Sequence, residues 1–140
     1  MSTTLTPNLM SENVNESVIF YRDHLGFHFL AGVLAETDAM TDEFSPAAPL
    51  QWAMLGRDEA LVMFQLRHSM AREYAPLKEV PLGASASIYI EVSDLDTLLA
   101  GLGNGVETVL PDHVTFYGMR EMWIRDNNGY LLALAQKAAH

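Results

Sequence analysis

The side chains in this chain that could do chemistry are few, and their spacing excludes more than it offers. There is no cysteine, which removes disulfides, thiolate metal sites and cysteine nucleophiles together. The five histidines, His24, His28, His68, His113 and His140, are scattered with no His-x-x-x-His or comparable spacing, and read as surface residues. No phosphate loop and no Ser-His-Asp arrangement stands out. What remains is aromatic and acidic: Trp52, Tyr89, Phe116, Tyr117 and Trp123, with Glu91 and Glu121, beside the softer Met63 and Gln65. Aromatic faces with carboxylates among them suit a flat cationic molecule, because the ring quadrupole attracts the cation and the carboxylate balances its charge. Apolar walls with a few polar anchors are the usual makeup of a small-molecule site.

Charge and composition narrow the partners. With 18 acidic and 8 basic residues the net charge is −10, so binding to a phosphate backbone, which depends on Lys and Arg, is disfavoured and no nucleic-acid partner is expected. The acidity is compatible with a cationic ligand or simply with solubility. A chain of 140 residues, 49% hydrophobic and 19% charged, is one ordinary globular domain. The start, MSTTLTPNLM, lacks a basic segment followed by a long apolar core, and no apolar run approaches the ~20 residues needed to span a bilayer. A cytoplasmic protein without membrane contact is the expectation.

The best-specified element is a helix over Asn13 to Leu25. Asn13 is an N-cap with Glu16 three residues on as a capping-box partner; Val14, Val18, Tyr21 and Leu25 share one face, and Gly26 closes the helix. Period-two alternation predicts a strand over Leu5–Met10, with Pro7 suiting an edge, and a second strand over Phe27–Leu34. Glu36–Pro49 is aperiodic and reads as a connector. Gln51–Arg57 and Ala60–Leu66 form a hairpin, and His68–Pro81 is a linker with room for a helical turn. The order then restarts: a strand over Ser85–Val92, a helix capped by Ser93 with Leu95, Leu98, Leu99 and Leu102 on its face, and strands over Glu107–Leu110, Arg120–Arg125 and Tyr130–Gln136. This gives two β-α-β-β-β modules, residues 5–67 and 85–137, joined by a linker over 68–84 within a single domain. Alternation places Thr6, Asn8, Met10, Leu61, Met63, Gln65, Ser87, Tyr89, Glu91 and Ala133 on the sheet face away from the helices.

The runs SVIFYRDHLGFHFL (Ser17 to Leu30) and YGMREMWIRDNNGYLLALA (Tyr117 to Ala135) resemble the first-helix signature and the last hairpin of the vicinal oxygen chelate superfamily. That superfamily includes glyoxalase I, extradiol dioxygenases and bleomycin-resistance proteins. The resemblance implies an α+β fold in which the modules form a curved, mainly antiparallel sheet, and a homodimer. It also implies four metal-ligand positions, which fall on Thr6, Met63, Ser87 and Ala133; none is a usual ligand, so no metal and no cofactor are expected. The chain is closest in character to the bleomycin-resistance members, which sequester a drug without a catalytic metal. The expected function is thus binding of a small molecule, of the cationic aromatic kind, by Trp52, Met63, Gln65, Tyr89, Glu91, Tyr117, Glu121 and Trp123. The alternative is a metal-dependent lyase, isomerase or dioxygenase of the superfamily using displaced ligands such as Glu91, Glu121 and His113.

Overall fold

The structure, a computed structural model, describes residues 4–83 and 86–138. Ser85, the expected start of the second module, and His140 lie outside the described residues. The chain forms two compact units, the first ending at Val80 and the second beginning at Pro81. Each carries its own mixed, mainly antiparallel sheet, so the fold is α+β as expected.

The first unit contains β1 (Asn8–Ser11), α1 (Val14–Leu25), β2 (His28–Leu34), β3 (Met40–Thr41), β4 (Leu50–Arg57), β5 (Ala60–Leu66) and α2 (Arg67–Glu73), followed by a 3-10 turn at Ala75–Leu77. Sheet order is β1-β5-β4-β2-β3, with β1 parallel to β5 and every other pairing antiparallel.

Helix α1 forms for the reasons legible in its letters. Asn13 Oδ1 accepts from the Glu16 amide at 3.0 Å, and Gly26 closes the helix at φ 73°, a conformation that costs a side-chain-bearing residue dearly. The reciprocal half of the capping box is not made by Glu16. Only Glu12 separates β1 from the cap, so Ser11 is close at hand and its Oγ accepts from the Asn13 amide at 3.2 Å. Val14, Val18, Tyr21 and Leu25 are all buried, and Tyr21 meets Phe64 of β5 edge-on with ring centroids 4.8 Å apart. We expect Asn13→Ala to cost about 1 kcal/mol, read as a lower urea midpoint at unchanged slope. An unchanged midpoint would show that the Ser11 contacts hold the helix start without the cap.

Other boundaries moved for local reasons. Strand β1 begins at Asn8 and not at Leu5: Pro7 has no amide to pair, and Leu5 is 86% exposed, so no burial holds it down. Pro7 still contributes its carbonyl, which accepts from the Met63 amide at 2.8 Å. The segment between β2 and β4 is more than a connector. It contains β3, paired with β2 through Gly32 and Val33, and Asn15 of α1 pins its far end: Nδ2 donates to the Ala48 carbonyl and Oδ1 accepts from the Leu50 amide, both at 2.9 Å. The start of the expected linker is α2, which begins directly where β5 ends.

The second unit contains β6 (Ser87–Glu91), α3 (Leu95–Ala100), β7 (Glu107–Val114), β8 (Met119–Arg125) and β9 (Leu131–Lys137), in the order β6-β9-β8-β7. Here β6 is parallel to β9 and the rest are antiparallel, so β3 apart, the first unit's order is repeated. Asp94, and not Ser93, caps α3: Oδ1 accepts from the Thr97 amide at 3.1 Å and Oδ2 from its hydroxyl at 2.6 Å. Leu95, Leu98 and Leu102 are buried, whereas Leu99 is only half-buried. Strand β7 runs on past Leu110 to Val114 because register shifts absorb Pro111, and His113 therefore belongs to a strand, opposite Glu121, and not to a loop.

Candidate functional site

In the first unit the strand face away from α1 forms the floor of a cavity of ≈ 550 Å³. Strand pairing sets the floor: Asn8 lies beside Met63, Met63 beside Met54, Gln65 beside Trp52, and Trp52 beside Val33. Asn8, Val33, Trp52, Met63 and Gln65 line the cavity, α2 contributes Ser69, Arg72 and Glu73, and Tyr74 follows them at the rim. Gln51 and Trp52 are neighbours in sequence yet both line it. The pairing skips Gln51 between Val33–Trp52 and Leu34–Leu50, and such a bulge re-aims a side chain. A line of hydrogen bonds crosses the wall: Asn8 Nδ2 to Gln65 Oε1 at 3.0 Å, Gln65 Nε2 to Ser69 Oγ at 2.9 Å, Ser69 Oγ to Gln51 Oε1 at 3.5 Å, and Gln51 Nε2 to Asp38 Oδ1.

In the second unit the same face carries a different device. Glu121 on β8 is only 1% exposed, and its carboxylate takes three donors. The hydroxyls of Tyr89 and Tyr117 donate to Oε2 at 2.6 and 2.7 Å, and Trp123 Nε1 donates to Oε1 at 3.0 Å. Burial alone would raise the Glu121 carboxyl; the three hydrogen bonds and the nearby His113 outweigh it and hold the group below its ordinary value. Burial, then the bond to Glu121, pushes the Tyr89 hydroxyl up, and the bond to Glu121 pushes Tyr117 up. One anionic group thus fixes three aromatic side chains from β6, the β7–β8 turn and β8. Fully buried Ala133 on β9 pairs with both Tyr89 and Trp123, and its small methyl leaves room between them.

The eight residues singled out from the sequence therefore fall into two groups. Trp52, Met63 and Gln65 line the first unit's cavity, while Tyr89, Tyr117, Glu121 and Trp123 form the second unit's cluster. Glu91 is exposed two residues beyond Tyr89 and takes no part in the cluster's bonds. Phe116 is 99% exposed in the β7–β8 turn and stacks edge-on against Tyr117, so it walls nothing within its unit. Glu121, named from the sequence as an acidic group among the aromatics, has its oxygens engaged by the three rings. Sequence reasoning missed Val33, Asp38, Gln51, Ser69, Arg72, Glu73 and Tyr74.

The four positions assigned to metal ligands carry two hydroxyls, a thioether and a methyl, which do not suit a divalent ion. Among the described residues, no three His, Asp or Glu side chains come together in a way that could hold one. His113 Nδ1 lies 2.7 Å from the Pro111 carbonyl, which can only accept, and the ring is oriented by that bond.

Two β-α-β-β-β units in which the first strand pairs in parallel with the last define a repeated-module fold with a ligand-sized cavity. The chain belongs to the Glyoxalase/Bleomycin resistance protein/Dioxygenase superfamily, whose family model matches residues 5–134. No curated protein matches it. Among solved structures it is similar to TioX from Micromonospora sp. ML1 at 17% identity, covering 97% of this chain and 99% of that one with a TM-score of 0.67. It is also similar to a glyoxalase/bleomycin resistance protein/dioxygenase family enzyme from Burkholderia phytofirmans PsJN, at 13% identity, covering 94% and 96% of the two chains with a TM-score of 0.69. A third is the virulence protein STM3117 from Salmonella typhimurium, at 17% identity, covering 99% and 98% with a TM-score of 0.64. At these identities the likeness is one of fold. No helix among the described residues is long and apolar enough to cross a membrane.

Proposed function

We propose that this protein is a metal-free small-molecule binding protein, resembling the bleomycin-resistance members of its superfamily, whose first-unit cavity receives a flat aromatic ligand. The observation that carries the reading is the cavity itself. Its ≈ 550 Å³ falls within the roughly 300–1,000 Å³ usual for ligand sites, and its lining pairs an indole and a thioether with amide and hydroxyl groups. Asp38 and Glu73 outnumber Arg72 among the lining residues, which favours a cation over an anion. The weak donor chemistry at the metal positions supports a role without a metal. We propose a homodimer as well, with Val109, Leu110, Val114 and Phe116, all exposed, available for burial; light scattering giving a monomer at micromolar concentration would remove it.

The test is a panel of flat aromatic compounds titrated against the protein and against Trp52→Ala, with metal analysis of the purified protein alongside. Trp52 is half-buried at the cavity wall, so its removal should weaken binding by about 1–2 kcal/mol while the protein stays folded. Affinities unchanged in Trp52→Ala would remove the cavity reading. Stoichiometric zinc, nickel, manganese or iron would overturn the metal-free part.

A further inference from the structure

The hydrogen-bond line along the cavity wall has a direction, set at one end by groups that can only accept. Gln51 Nε2 donates both to the Asp38 carboxylate and to the Leu34 carbonyl, the latter at 3.3 Å. Neither partner has a proton to give, so the NH2 of Gln51 faces them and its Oε1 faces Ser69. Ser69 then donates to Gln51 and accepts from the NH2 of Gln65. This leaves Gln65 Oε1 toward Asn8, so Asn8 turns its own NH2 that way. Its Oδ1 is the terminus: a buried acceptor with no donor.

The reverse ordering would set Ser69 Oγ against Gln51 Oε1 with no hydrogen between them. It would also end the line on buried N–H bonds without an acceptor, a rarer arrangement in folded proteins than an under-used carbonyl. A buried acceptor lacking a donor is costly until one arrives. Resting on the cavity reading above, we propose that the first unit selects ligands carrying an N–H or O–H donor, which they deliver to Asn8 Oδ1 while their aromatic body lies against Trp52. Asn8 Oδ1 is buried, so admitting a donor requires a neighbouring side chain to move, and we assign that movement to Met63, which is paired with Asn8 across β1 and β5 and lines the same wall. Its unbranched thioether chain changes rotamer more freely than a branched side chain would. Asp38 acts as a positioning residue at the far end of the line.

Matched probes test this: indole carries one N–H donor, 1-methylindole lacks it, and quinoline offers only an acceptor. Affinity is read by NMR titration, with the Trp52 indole and Asn8 side-chain amide resonances reporting where each probe sits. In the wild type, indole should bind about tenfold or more tightly than 1-methylindole, and Asn8→Ala should bring the two together. Equal affinities in the wild type, tighter binding of quinoline, or a preference surviving in folded Asn8→Ala would overturn the donor selection while leaving the cavity reading in place. If none of the three shifts Trp52, the cavity reading falls and this inference with it. Should Asn8→Ala fail to fold, the wild-type comparison decides.

Discussion

Glu121→Gln should destabilise the second unit by roughly 2–3 kcal/mol. The carboxylate accepts two tyrosine hydroxyls on one oxygen and the Trp123 N–H on the other. Glutamine can keep only one of these oxygens. With it turned to the tyrosines, its NH2 faces the indole N–H, and two buried donors meet with no acceptor between them. The effect should also depend on pH. Because the folded-state carboxyl titrates below its ordinary value of 4.5, its stabilisation is fully present above that value and is lost as pH falls through the folded pKa. The wild-type melting temperature should therefore drop on acidification, and the variant should lose most of that component. Glu91→Gln, exposed on β6, serves as the control and should change stability by less than about 0.5 kcal/mol. Equal melting temperatures for wild type and Glu121→Gln at pH 7 would show that the three bonds do not hold the cluster.

Phe64→Ala should cost about 3–5 kcal/mol and should weaken ligand binding without touching any ligand. The ring is fully buried and meets Tyr21 of α1 edge-on, so its loss leaves a void between helix and sheet. Strand alternation makes this a functional matter: Phe64 faces α1, while Met63 and Gln65 on either side face the cavity. Relaxation of β5 into the void therefore displaces two cavity-lining side chains at once. Phe64→Leu keeps most of the volume and should cost less than about 1.5 kcal/mol. Urea unfolding of both variants, with probe titration under conditions where they are folded, checks the prediction. A cost near zero for Phe64→Ala would mean that α1 does not pack on β5 as described.

What could be read in the sequence was what is local. Asn13, the period of Val14, Val18, Tyr21 and Leu25, and Gly26 specify α1 within fourteen consecutive residues, and each acts through its near neighbours. Alternation also sorted residues by face, which is why Asn8, Met63, Gln65 and Tyr89 could be named for one face; that they divide between a cavity in the first unit and a cluster in the second was not legible. Gln51 could not be named, because regular alternation puts it opposite Trp52 and only the skipped pairing with β2 brings both to the same side. Strand β3 escaped because two residues are too few to carry a pattern; its position is set by Gly32 and Val33 across the ladder. The cap of α3 was misplaced by one residue, since Ser93 and Asp94 are both good caps and the choice rests on which side chain reaches Thr97. The closure of Tyr89, Tyr117 and Trp123 around Glu121 spans three separate segments, and no spacing announces it.

The parallel pairing of first strand with last also governs how each unit emerges during translation. Within its sheet, among the described residues, strand β6 pairs with β9 alone, and β9 is the final strand of its unit. Until Leu131–Lys137 have been synthesised, β6 has no partner and β8 has one bare edge, both exposed to whatever nascent chains lie nearby. Since β9 is the insert that joins them, a premature stop after the Asp126–Gly129 turn removes two ladders with a single strand. The first unit meets the same requirement earlier, when β5 captures β1, so it can complete its sheet while the second is still being made. A chain cut between the units should therefore yield a folded first half, whereas one cut seven residues before the end of β9 should feed aggregation and quality-control proteolysis.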